Sequence, residues 1–164
     1  MKWIPQIILF FLWMTTVNVH SQVMDDFSDG DFSNNPSWNG NTAEFAVNAS
    51  QQLQLNNTIS GSSYLSLTHG INTLQNHEWH FWVKQSFSPS SSNYGKIFLS
   101  ADNSDLTAVQ NGYFVLFGEA NAVDAIRLFK LVNGIPTQLC SGVDGQISNS
   151  FTVGIKVVLN PSGN

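Results

Sequence analysis

The segment Phe151–Leu159 (FTVGIKVVL) constrains the fold more than any other feature of the chain. Phe151, Val153, Ile155, Val157 and Leu159 fall on one face of an extended chain, with Thr152, Gly154 and Lys156 on the other. A period of two marks a strand with one face in a core and one in water, the habit of antiparallel sheets. Glu78–Phe87 repeats the pattern: Trp79, Phe81 and Val83 point one way, and His80, Trp82 and Lys84 the other. Similar β-branched and aromatic runs recur between clusters of Gly, Ser, Asn and Asp. They lie at Val23–Phe27, Glu44–Asn48, Gln52–Asn56, Ser63–Thr68, Lys96–Ala101, Gly112–Gly118, Ala125–Val132 and Ile135–Cys140. No window shows capped helical periodicity. The rhythm predicts an all-β, antiparallel sandwich. Asn133–Gly134 is its best turn signal, because a type I′ hairpin needs positive φ at both central residues. Gly112–Gly118 and Ala125–Val132 are apolar on both faces, which predicts central strands.

The N-terminus predicts a compartment. Lys2 is followed by a nearly apolar run, Ile4–Trp13, which Thr15, Thr16 and Asn18 interrupt before the ~20 apolar residues a membrane span needs. With small or short residues at Val19 and Ser21, residues 1–21 are expected to be a secretory signal cleaved before Gln22. The protein is then secreted or held at a cell surface, with no membrane span left. The remaining 143 residues (22–164) make one β-sandwich domain, large enough for its own core. They hold five Lys and Arg against eleven Asp and Glu, a net charge of −6. The bases are scattered singly, so nothing resembles the footprint of a nucleic-acid binder. Cys140 is the single cysteine, so no internal disulfide forms; its neighbours lack the cation or histidine that activates a thiol, and a buried apolar role is expected. The last strand runs into Asn160-Pro161-Ser162-Gly163-Asn164, which is turn chemistry. This predicts that the return strand, and with it the C-terminal part of the sandwich, is missing.

Several constellations bear on chemistry. His77 and His80 are three apart on a strand, hence on opposite faces, unlike the helical i, i+4 pair of a zinc protease. Glu44, Glu78 and Glu119 sit singly on different segments, which leaves no carboxylate pair for glycoside hydrolysis, and no serine lies in a nucleophile elbow. Asp25, Asp26, Asp29 and Asp31 form an acidic cluster around a glycine, donors that suit Ca²⁺ although the full EF-hand spacing is absent. The alternative is a run of Asx turns, each Asp bonding its own backbone. Trp82 shares a face with His80 and Lys84, an indole among polar groups, as in a sugar platform. Its alternative is cover by a loop or sheet edge. Trp38, in NPSWNG, is a second candidate ligand contact, or else a plug at one end of the sandwich.

Four segments, DDFSDGDFSNNPSWNG (Asp25–Gly40), FAVNASQQLQLN (Phe45–Asn56), EWHFWVKQSFSPSSSNYGKIFLSADNSDL (Glu78–Leu106) and NGYFVLFGE (Asn111–Glu119), together resemble one family. It is the N-terminal jelly-roll module of large secreted surface proteins of gliding-type bacteria, often followed by lamin-tail domains and a type IX sorting domain. The module is similar to concanavalin A-like and laminin-G-like sandwiches. The resemblance implies a jelly-roll topology and adhesion or glycan contact, with no catalytic residue to carry over. The sequence thus predicts a non-catalytic binding or adhesion module contacting glycan or surface polymer. A structural spacer in a multidomain exported protein is the alternative, and a glycoside hydrolase the weaker third.

Overall fold

The computed structural model describes residues 23–69, 76–120 and 123–159. The expected signal over 1–21 and the turn over 160–164 lie outside the described residues. Among those described, the chain is all-β, with antiparallel sheets, one 3-10 turn (Thr42–Glu44) and no α-helix. No helix among them is long and apolar enough to cross a membrane.

Two small ribbons come first: β1 (Asn39–Gly40) pairs with β4 (Leu65–Ser66), and β2 (Phe45–Val47) with β3 (Leu53–Leu55). The main body is a four-stranded meander, β6 (Gly95–Ala101), β7 (Gly112–Phe117), β8 (Ile126–Val132) and β9 (Ile135–Ser141), each strand beside the next. The β8–β9 turn is the Asn133–Gly134 pair, at φ 50° and 75°, as the hairpin chemistry demands. The meander is enclosed in sequence by β5 (His77–Gln85) and β10 (Phe151–Leu159), which pair with each other from Phe151↔Gln85 to Leu159↔His77. This register aligns the two alternating segments, so that their apolar rows coincide on one face and their polar rows on the other.

The apolar face of β5–β10 packs on the meander. Leu99, Val115, Phe117 and Ile147 form the buried centre, with Trp79, Phe81, Val83, Phe151, Ile155 and Val157 against it. Phe117 is 0% exposed and stacks with Phe151 at 6.1 Å between centroids. Burying such a side chain contributes about 1.5–3 kcal/mol. The meander's other face has its own cluster. Phe114 lies between Phe98 and Phe129, at 5.4 and 5.1 Å, and the connection between β6 and β7 covers it with Leu106 and Val109. That connection is held by Asp102, whose carboxylate accepts from the Gln110 backbone N–H (3.0 Å) and from Asn111 Nδ2 (2.8 Å). The apolar residues on both faces of β7 and β8 are therefore accounted for.

On the far side, Arg127 clips the loop after β9 to the loop before β8. Its guanidinium, with a side chain 12% exposed, donates to Glu119 Oε2 (2.6 Å), Ser141 Oγ (2.6 Å) and Asp144 Oδ1 (2.9 Å). The bond to Glu119 is the chief reason its pKa is raised further. The Ile147 N–H donates to the Asp124 carbonyl (3.2 Å), which fixes Ile147 where it fills the core.

Several expectations need correction. Val23–Phe27 is not a strand, because Asp25 and Asp26 capture the N–H groups of Phe27 and Ser28, and Phe27 sits at φ 55°. The strands expected at Glu44–Asn48, Gln52–Asn56 and Ser63–Thr68 shrink to two or three residues. Cys140 is exposed, not buried, because β9 is the outer strand of the meander and exposed throughout. β10 pairs along its full length with β5; the return strand expected after the 160–164 turn lies outside the described residues.

Candidate ligand-binding face

The outward row of β5 consists of Glu78, His80, Trp82 and Lys84; opposite them on β10 lie Val158, Lys156, Gly154 and Thr152. Trp82 is 78% exposed, so no loop or sheet edge among the described residues covers it. Its ring lies across Gly154: a Cβ built at 154 would stand 3.3 Å from Cε2 and 3.4 Å from Cζ2 of the indole. Glycine ordinarily weakens a strand interior, and its presence there often marks a close approach. Here it leaves room for a flat aromatic ring. A buried indole removes roughly 150–250 Å² from water, worth about 4–6 kcal/mol at 25 cal/mol/Å². The fold claims little of that for Trp82, which leaves the ring available to a ligand.

The two ends of the row differ in charge. At one end Glu78 Oε2 bonds both His80 Nε2 (3.0 Å) and Lys156 Nζ (2.9 Å). The His80 bond, and then Lys156, hold the Glu78 carboxyl below its ordinary pKa. At the other end Lys84 stands opposite Thr152 and makes no ion pair among the described residues. Beside it opens a recess of about 230 Å³ lined by Lys84, Gln85, Ser86, Ser150, Phe151 and Thr152. Gln85, on the inward row, is only 8% exposed, and its Nε2 has no hydrogen-bond partner among the described residues. A buried donor left unmet costs about 1–3 kcal/mol. Sequence reasoning names His80, Trp82 and Lys84, and the structure brings them together. It misses Gln85, although a polar residue continuing the inward row of 79, 81 and 83 is a readable signal.

Trp38 and the aspartates are elsewhere and engaged with one another. The Trp38 indole N–H donates to Asp25 Oδ2 at 2.8 Å, and its ring is tilted against Phe27 at 6.4 Å. Trp38 thus pegs its own loop, and its polar atom is not free for a ligand. Asp25, Asp26, Asp29 and Asp31 each accept the backbone N–H two residues on, from Phe27, Ser28, Asp31 and Ser33, at 2.7–3.0 Å. This is the Asx-turn alternative. The bonds from Ser33, then that from Asn34, hold the Asp31 carboxyl down at about 2. No group of three or more His, Cys, Asp or Glu among the described residues converges as a metal site. The four carboxylates expected for Ca²⁺ are thus not drawn together here: one oxygen of each serves the local backbone.

No family model, curated protein or solved structure matches this chain.

Proposed function

We propose that the chain is a non-catalytic binding or adhesion module of a secreted or cell-surface protein, whose outer β5–β10 face contacts glycan or a related surface polymer. The observation that carries this reading is Trp82, exposed and laid flat over Gly154. A flat ring with polar neighbours on both sides offers a sugar its apolar face to stack on and donors for its hydroxyls. His80 and Lys156, braced by Glu78, stand on one side, and Lys84 with Thr152 on the other.

A glycan array probed with the protein and with Trp82→Ala tests the reading. Retention of one glycan class that Trp82→Ala loses is the expected result. Absence of any Trp82-dependent retention would favour the structural spacer instead. Export supplies the compartment in which such a ligand is met. The mature chain is expected to start at Gln22, which an intact-mass measurement on exported protein checks; retention of residues 1–21 would remove the premise.

A further inference from the structure

We infer that the recess beside Lys84 is an anion subsite, and that the polymer bound on this face carries a carboxylate or sulfate next to the sugar stacked on Trp82. The inference rests on the glycan reading of Trp82 given above. The recess is lined by Lys84, Ser86, Ser150 and Thr152 together with Gln85 and Phe151; an ammonium and three hydroxyls are donors or can act as donors. No carboxylate among the described residues lines it. An ionised carboxylate or sulfate is acceptor-only, which suits a rim of donors. Lys84 lacks a counter-charge among the described residues, whereas Lys156 and His80 at the opposite end share Glu78.

Size and spacing agree. A recess of about 230 Å³ exceeds several-fold the ~30 Å³ share of one water, so it has room for the acidic group of a sugar. Lys84 is one same-face step from Trp82, about 7 Å along a strand, so the stacked ring and the acid belong to one ligand. The chain carries a net charge of −5, so an anionic polymer is disfavoured over most of its surface and directed to this end of the face.

The test is calorimetric titration of the protein with two matched pairs: polygalacturonate and its methyl ester, and dextran sulfate and dextran. One charged polymer is expected to bind at least about tenfold more tightly than its neutral counterpart, the worth of one charge-assisted contact. Which pair responds distinguishes carboxylate from sulfate. Lys84→Gln should lose about tenfold. If a neutral polymer binds as tightly as its charged form and Trp82→Ala abolishes that binding, the anion subsite is overturned and the glycan reading stands. If a charged polymer binds equally to Lys84→Gln and Trp82→Ala, the attraction is diffuse and the subsite is overturned. If no polymer shows Trp82-dependent binding here or on the array, both readings fall.

Discussion

Trp79 and Trp82 lie three residues apart on β5 and meet opposite environments. Trp79 packs on the cluster around Val115 and Phe117, while Trp82 stands in water over Gly154. The pleat alone separates them: odd positions of the strand face the meander and even positions face out. The inner row answers to packing, since each member meets apolar atoms of the second sheet. Among the described residues, the outer row is tied down only by the Glu78 bridge and by the seat of Trp82 on Gly154. The same strand therefore builds the core on one side and presents a surface on the other. Substitutions in the two rows should be separable by which measurement they change.

The largest effects belong to the inner row and the core it meets. Phe117→Ala, at a fully buried position, should cost about 3–5 kcal/mol in chemical denaturation. Trp79→Ala should fall in or just below that range, because the residue is half-buried. A loss under about 1 kcal/mol, the level of an average point substitution, would mean that the β5–β10 ribbon does not pack on the meander.

Gly154→Val sharpens the comparison from the outer side. Valine suits a strand better than glycine, so stability should hold or rise in a thermal melt. The new side chain, however, occupies the space under the indole, so glycan binding should fall. Binding that survives Gly154→Val would show that the flat seat of Trp82 is not what a ligand uses.

Strand alternation alone makes His80, Trp82 and Lys84 legible as one outward row. It does not reveal Gly154 as their support, because that needs the register between β5 and β10, two segments separated by the whole meander. The hairpin at Asn133–Gly134 is legible because its geometry is local. The Asp25–Asp31 cluster offers two readings. Residue types alone do not separate a cation cage from backbone bonds two residues long, whereas the backbone course shows the bonds directly. Cys140 is misjudged from sequence for a similar reason, since nothing in its composition marks β9 as an outer strand. The jelly-roll resemblance, and the glycan role it implies, stand as proposals.

A smaller effect is expected at Glu78. Its carboxyl sits below 4.5 because of His80 and then Lys156. A lowered carboxylate pKa contributes stability above the unfolded value, and that contribution is lost as pH falls through the folded one. Glu78→Gln should therefore melt slightly below the parent at about pH 6 to 7, by no more than the loss of an exposed ion pair. The gap should close as pH drops below 4.5. A gap that persists in acid would assign the residue a role in packing, not charge.

The smallest stability effect, and the largest on binding, should come from Trp82 itself. Melting and glycan binding measured together on Trp82→Ala test the division of labour between the two rows most directly. The account predicts a stability within about 0.5 kcal/mol of the parent, as for a surface change, with glycan binding abolished. A melting loss as large as that of Trp79→Ala, or binding that survives intact, would contradict it.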